Sequence, residues 1–350
     1  MILDHLGVPI VLAPLAGGPT TPQLAAAVAN AGGLGFLAAG YLTASALAEQ
    51  IRQARELTTG TLGVNVFVPG GGAADRGPVT EYAALLAAEA QQAGVELGEP
   101  RFEDDDWDAK LALLTADRMP VTSFTFGCPE PAVIKALQTA GSEVWVTVTT
   151  PAEAVMAADA GADVLVVQGS EAGGHRGSFI DDPADDASGG FGLLSLLQLV
   201  RSRTSRPVVA AGGISTGAAV AAVLAAGAAA AQIGTAFLRC PEAGTSQVQR
   251  AAVASATPTA MTRAFTGRNA RGIRNRLMDG YSAPAAYPEV HYLTAPLRAA
   301  GRRSEDPDLV NLWAGQTHEL SRELPAADLV AGLARDARAS LAAASRRLGT

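Results

Sequence analysis

Eight short apolar runs, each followed by an Ala- and Leu-rich helical run or the space for one, predict an α/β chain closed as a TIM (β/α)8 barrel with a C-terminal helical and loop-rich excursion over one end. The runs are "IVLAPL" (10–15), "LGFLAA" (34–39), "LGVNVF" (62–67), "VTSFTFG" (121–127), "EVWVTVT" (143–149), "DVLVVQG" (163–169), "PVVAAGGI" (207–214) and "AAQIGTAF" (230–237). They are apolar nearly throughout rather than alternating, which is the pattern of parallel strands covered on both faces. A doubly wound open sheet is the main rival for the same alternation of elements.

The helical runs carry their own punctuation. "PQLAAAVANAGG" (22–33) opens on proline and closes on glycine, the expected asymmetry of helix ends. Helices follow near 43–57 and 78–93, and another runs from Pro131 to near Gly141. "PAEAVMAADAGA" (151–162), "LLSLLQLVRSR" (193–203) and "STGAAVAAVLAAG" (215–227) complete the repeat. Two regions stand outside it. Residues 94–118 read as an extra helix between units three and four, its acidic run 103–106 a solvated helix start where carboxylates suit the dipole. A second acidic run, 181–186, reads as a solvated loop. Residues 257–325 are richer in Arg, Pro and Tyr and form a lid-like excursion. The tail from 326 to 350 reads as a closing amphipathic helix, so the barrel core is 1–256.

Composition narrows the function. Hydrophobic residues make up 48% and charged residues 17%, enough for a sizeable core. A net charge of −8 argues against nucleic-acid or anionic-membrane partners. The N-terminus lacks a basic, uninterrupted apolar signal, and no stretch of about 18 apolar residues runs unbroken. A cytoplasmic protein, monomer or homodimer, is the expectation. Two cysteines, Cys128 and Cys240, make no disulfide framework. Lys110 and Lys135 are the chain's two lysines, and neither ends a strand, so Schiff-base chemistry is disfavoured. His5, His175, His291 and His318 stand apart without metal-ligand spacing.

Strand ends hold the candidate site. In such a barrel, phosphate binds after strands seven and eight. Those places read "AAGGIST", with Gly212 and Gly213, and "QIGTAF", with Gly234 and Thr235. Glycines there let backbone N–H groups approach phosphate oxygens, and Thr235 adds a hydroxyl; the alternative is that they only permit tight turns. No convincing dinucleotide fingerprint appears. Asn65 and Gln168 are amides in apolar strands, suited to the donor and acceptor edge of a planar heterocycle. Pro14 stiffens the first strand's end. His175 sits between glycines in "VVQGSEAGGHRGSF" (166–179), as a base or as partner for an anion, against the reading of a solvent-exposed turn histidine. Glu171 pairs with Arg176 or with solvent. Cys128 follows strand four, in a packing role.

The stretches "PIVLAPLAGGPTTPQLAAAVANAGGLGFLAAGY", "GVNVFVP", "VVQGSEAGGHRGSF", "VVAAGGIST", "QIGTAFL" and "AAYPEVHYLTAPLR" with "LWAGQ" together resemble the nitronate monooxygenases, formerly called 2-nitropropane dioxygenases, from about residue 6 to 325. The resemblance implies an FMN-containing barrel that oxidises alkyl nitronates, of the propionate 3-nitronate type, with O2 to a carbonyl compound and nitrite through a flavin semiquinone. It implies flavin contacts at Ala13, Pro14, Leu15, Asn65, Gln168, Gly173, Gly213, Gln232, Ile233, Gly234 and Thr235. It makes His175 the active-site histidine, and Tyr281 and Tyr287 candidates for the substrate pocket. No metal is implied. The FMN- and NAD(P)H-dependent enoyl-acyl-carrier-protein reductases look similar and are the alternative, but usually carry an acidic residue where this chain has Gln168. "PEVHYL" departs from the amide-rich stretch of many relatives, which puts the substrate fit around His291 in doubt.

Overall fold

A computed structural model describes residues 1–73, 75–184 and 189–349. Eight parallel strands form its main sheet: β1 (Ile10–Leu12), β2 (Gly35–Ala38), β3 (Leu62–Phe67), β4 (Val121–Thr125), β5 (Glu143–Val148), β6 (Val164–Gln168), β8 (Val208–Ala211) and β9 (Ala230–Ile233). The short β7 (Gly174–His175) leaves the barrel after β6. Neighbours run β1–β9–β8–β6–β5–β4–β3–β2. The two ends meet, because Leu12 N–H donates to the Leu34 carbonyl at 2.9 Å and Leu34 N–H to that of Ile10 at 3.0 Å. The sheet is therefore a closed barrel, not the open doubly wound rival.

Burial on both faces explains the unbroken apolar runs. Val11, Phe36, Val121, Trp145, Val166 and Val209 fill the interior. Leu12, Leu37, Val64, Val146, Leu165 and Ala210 face the helices. Phe36 and Trp145 pack with ring centroids 5.7 Å apart. Gly63 makes room for them, since a Cβ there would lie 2.6 Å from the Phe36 ring. Small beside large is how an eight-stranded interior closes without voids.

The surrounding helices are α1 (Pro22–Asn30), α2 (Ala44–Leu57), α3 (Gly77–Gln92), α4 (Trp107–Ala116), α5 (Pro131–Thr139), α6 (Pro151–Ala160), α7 (Leu193–Arg201) and α8 (Gly217–Ala225). Thr21, Thr43, Thr150 and Thr216 cap four of them, each accepting from the backbone N–H three residues on. After β9 come α9 (Gln247–Val253), β10 (Thr259–Thr262), β11 (Ala270–Ile273), α10 (Arg276–Gly280) and α11 (Glu289–Ser304). The chain ends on α12 (Ala326–Leu348), packed on α8 and α1.

Three sequence expectations change. The helix taken for unit three and the one taken for an insertion exchange places. α4 packs in the ring beside β3, between α2 and α5, while α3 leaves the barrel and buries Val79, Tyr82 and Leu86 against Phe265, Leu277 and Val290 of the excursion. The excursion is not only helix and loop: β10, β11 and β7 form an antiparallel sheet, with Ala270 opposite His175. The acidic runs are not simply solvated. Asp105 accepts from Tyr41 N–H at 2.8 Å and lies 2.7 Å from Lys110 Nζ, and Asp106 accepts from Ala44 N–H at 2.7 Å. Asp181 pairs with buried Arg263 at 2.6 Å; residues 185 and 186 of that run lie outside the described residues.

Lys110 is fully buried, and removing it leaves the Asp105 carboxylate without its cation. Lys110→Ala is therefore expected to cost about 3 kcal/mol, read as a lower urea midpoint at unchanged slope. A midpoint within error of the wild type contradicts the pair's structural role.

Candidate active site

The C-terminal ends of the barrel strands open into a cavity of about 430 Å³, within the range of small-molecule sites. Ala13, Pro14 and Leu15 from the end of β1 line it, as do Asn65 of β3, Gln168 of β6, Gly213 after β8, and Gln232, Gly234 and Thr235 at β9. Gly173 and His175 line it from the loop after β6. Ile233 does not: its side chain is buried in the core, and its carbonyl accepts from Ala13 N–H at 2.8 Å. Among the described residues no Asp or Glu lines the cavity, although the chain has 34 of them. Arg298 and Arg302 do line it.

The glycine end is a backbone cradle. Gly212 and Gly213 take φ of +114° and +65°, left-handed values that other residues reach only with strain. Thr235 Oγ1 accepts from Gly315 N–H at 2.9 Å, keeping its own proton to donate. Nearby, Ser215 and Thr317 hydroxyls lie 2.8 Å apart. This ties the end of β8 to the segment that precedes α12.

The loop of residues 169–177 is held from all sides. Gln168 braces it, its Nε2 donating to the His175 carbonyl at 3.1 Å and its Oε1 accepting from Gly177 N–H at 2.9 Å. Buried Arg176 donates to the carbonyls of Gly169 (2.7 Å) and Gln168 (3.3 Å). Glu171, half-buried, makes its hydrogen bond to the backbone: its carboxylate accepts from Leu193 N–H at 2.9 Å, at the start of α7, where the helix dipole favours an anion. Gly173 has no Cβ because the 314–315 backbone crosses it, 2.4 Å from where one would stand.

His175 is consequently a half-buried, oriented side chain. Its ring packs against Phe126 at 5.7 Å, Tyr287 at 5.7 Å and Trp313 at 5.6 Å between centroids. Its Nε2 lies 2.8 Å from Thr266 Oγ1. Thr266 in turn donates to the Arg268 carbonyl at 3.3 Å. Burial first, then the charges of Arg268 and Arg298, hold the imidazole down to about 3, so it is neutral at physiological pH. The turn-histidine reading does not fit this environment.

The two tyrosines separate. Tyr287 does not itself line the cavity but packs against His175, which does, and donates to the Tyr41 hydroxyl at 3.2 Å. Tyr281 is not at the cavity; its hydroxyl donates to Glu89 of α3 at 3.0 Å, tying the excursion to that helix. His291 is at the cavity, stacked flat on Tyr41 with centroids 4.3 Å apart. Cys128 stays out of it, donating to the Pro129 carbonyl at 3.6 Å, its thiol pushed up to about 11 by burial.

Sequence reasoning missed Tyr41, Phe126, Thr266, Arg298 and Trp313, all of which line the cavity. Tyr41 and Phe126 adopt φ of 67° and 76°, a conformation bulky residues rarely take outside functional sites. Nothing in their sequence context marks it. The Asp105 bond to Tyr41 N–H supports the first of them.

A family model described as nitronate monooxygenase matches residues 2–336. A nitronate monooxygenase of Pseudomonas aeruginosa is 40% identical over 343 residues, covering 94% of this chain and 96% of that protein. A probable nitronate monooxygenase of Staphylococcus aureus is 36% identical over 334 residues, covering 93% of each. The solved structure of nitroalkane oxidase from Streptomyces ansochromogenes is similar with a TM-score of 0.95 at 50% identity, covering 98% of this chain and 99% of that one. FabK from Thermotoga maritima shares the fold, with a TM-score of 0.73 at 24% identity over 99% and 96% of the two chains.

Gly173→Ala is expected to force the 171–173 and 313–315 segments apart and to cost about 2 kcal/mol in urea unfolding. An unchanged midpoint would show that the crossing has slack.

Proposed function

The chain belongs to the nitronate monooxygenase family, and from that premise we propose that it binds FMN in the strand-end cavity and oxidises alkyl nitronates with O2 to a carbonyl compound and nitrite. The residues present fit FMN. Gly212, Gly213 and Gly234 offer open backbone beside the cavity, suited to a phosphate. Asn65 spends its Nδ2 on Ser123 and Thr125, at 2.9 and 3.0 Å, which leaves Oδ1 to accept from a ring N–H. Gln168 keeps one amide proton beyond its loop bonds. Ala13, Pro14 and Leu15 would flank the ring system, with Gly173, Gln232 and Thr235 beside it. When bound, FMN supplies the electron transfer between nitronate and O2.

The observation that carries the reading is His175 with Thr266. A neutral imidazole has one N–H and one lone pair. With the Thr266 proton on the Arg268 carbonyl, His175 Nε2–H donates to Thr266 Oγ1, and the Nδ1 lone pair is left for the cavity. With the Thr266 hydroxyl turned toward Nε2, Nδ1 carries the proton and donates. One hydroxyl rotor thus lets the same uncharged ring hold a nitronate oxygen through Nδ1–H, or take a proton from a neutral nitroalkane at Nδ1. Phe126, Tyr287 and Trp313 pack around the ring and fix its orientation. The reductase alternative is supported by likeness of fold alone.

The purified protein is expected to be yellow, to release FMN on denaturation, and to form nitrite from a preformed nitronate with O2 and without NADPH. Oxidation of NADPH by a crotonyl thioester in place of nitrite formation decides for the reductase. Because the free imidazole is neutral down to about 3, kcat/KM for a preformed nitronate shows no His175 limb between about pH 5 and 8; a limb near pH 6.5 refutes that assignment. His175→Asn is expected to lose roughly a hundredfold in kcat/KM with flavin retained. Thr266→Val loses roughly tenfold, and Thr266→Ser restores most of it. A Thr266→Val enzyme of full activity removes the rotor from the mechanism.

A further inference from the structure

Two imidazoles, not one, line the strand-end cavity: His175 and His291. His291 lies on α11 and stacks flat on Tyr41, with ring centroids 4.3 Å apart. Tyr287 packs edge-on against both, 6.3 Å from His291 and 5.7 Å from His175 between centroids. One phenol ring therefore stands beside both imidazoles.

The two rings are prepared differently. His175 meets the Thr266 hydroxyl, which can donate or accept. His291 meets a guanidinium, its Nδ1 lying 3.4 Å from Arg298 Nη2. A guanidinium has only protons to offer, so Nδ1 keeps its lone pair toward it and Nε2 carries the ring proton. Arg298 is itself held by α11: its Nη2 donates to the His291 carbonyl at 2.7 Å and its Nε to Thr294 Oγ1 at 3.1 Å. Burial, then the charge of Arg298, holds the His291 imidazole down to about 2, so no second proton joins it at neutral pH. Among the described residues no acceptor meets its Nε2–H. His291 is thus an uncharged ring fixed as a donor, its N–H unspent in a cavity lined by no carboxylate among those residues.

A nitro group has two oxygens, and a nitronate shares its charge between them. His175 offers the cavity one atom, Nδ1. When Nδ1 takes the α-proton of a nitroalkane, the C–H electron pair moves into a C=N bond and the charge settles on the oxygens, where His175 makes no bond. We propose that His291 is a substrate-binding residue whose Nε2–H donates to an oxygen of the nitro or nitronate group, with Arg298 as the positioning residue that fixes its tautomer. The proposal rests on the nitronate-oxidising reading and deepens it. With a preformed nitronate the two rings hold one oxygen each. With a neutral nitroalkane His175 takes the proton and His291 answers the charge that develops.

The test compares FMN-loaded wild type, His291→Phe and His291→Gln. Phe keeps the stack on Tyr41 and removes the N–H; Gln keeps an oxygen for Arg298 and an N–H near the place of Nε2. Nitrite formation from ethyl nitronate is measured, and so is the anaerobic loss of α-deuterium from deuterated nitroethane, followed by NMR. The Phe variant is expected to lose roughly tenfold to a hundredfold in kcat/KM and in exchange rate, and the Gln variant to recover most of both. Nitrogen NMR of the histidine rings, with His291→Phe for assignment, is expected to show His291 protonated at Nε2, and Arg298→Met to let the Nδ1–H form appear. A Phe variant that matches wild type in both rates overturns the proposal. So do equal losses in Phe and Gln, which mark a packing role, and a wild-type ring protonated at Nδ1. An unchanged ring in Arg298→Met overturns the role given to Arg298. If wild type yields no nitrite while exchange proceeds and follows the N–H, the oxidation reading falls and the donor stands. Nitrite formation and exchange indifferent to the N–H are the converse.

Discussion

The pair of backbone bonds that joins β1 to β2, between Leu12, Leu34 and Ile10, is what the rest of the molecule depends on. Closing the sheet there buries every barrel strand on both faces. Inside such strands an unpaired polar group costs more than a hydrogen bond returns. Polar side chains therefore concentrate where the strands stop. Asn65, Thr125, Thr147, Gln168 and Gln232 all line the cavity, and Asn65 is satisfied only through its neighbours Ser123 and Thr125. Closure and burial together explain why the candidate chemistry lies at one rim.

From that rim the chain builds its lid by bonding, not by flexibility. The glycines of residues 169–177 suggest a mobile loop, yet Gln168, Arg176, Glu171 and β11 all grip it. Ordering a backbone residue costs roughly 1–2 kcal/mol, and these bonds offset that cost. The glycine at 173 is there for close approach, where the 314–315 backbone passes. His175 is thereby fixed against Thr266, a residue 91 positions away.

This contrast also explains what was legible in the sequence. Strand and helix periods are local, so the eight β/α units and their strand-end residues could be read directly. Which helix fills the ring is not local: α3 and α4 both carry apolar faces, and only packing against the excursion decides that α3 departs. The antiparallel sheet escapes notice because β10 and β11 have four residues each and its third strand, β7, which pairs with β11, has two. Tyr281 and Tyr287 look alike in sequence, yet one meets Glu89 and the other His175. Thr266 and Arg298 have no local signature, since their roles arise from contacts across the fold.

The electrostatics of the cavity join these features into one device. The chain carries a net charge of −8, yet its cavity lining has no carboxylate among the described residues and two arginines. Those cations favour an anionic ligand, and after burial itself Arg268, outside the lining, and Arg298 help to strip the proton from His175. A histidine in that field cannot wait as an imidazolium for its anion. It must present either a lone pair or an N–H while uncharged, and a neighbouring hydroxyl is the cheapest way to choose between them. Replacing Thr266 by a carboxylate would charge the imidazole but set a negative group beside the incoming anion. A hydroxyl on the inner face of His175 is thus what an anion-accepting cavity of this kind demands.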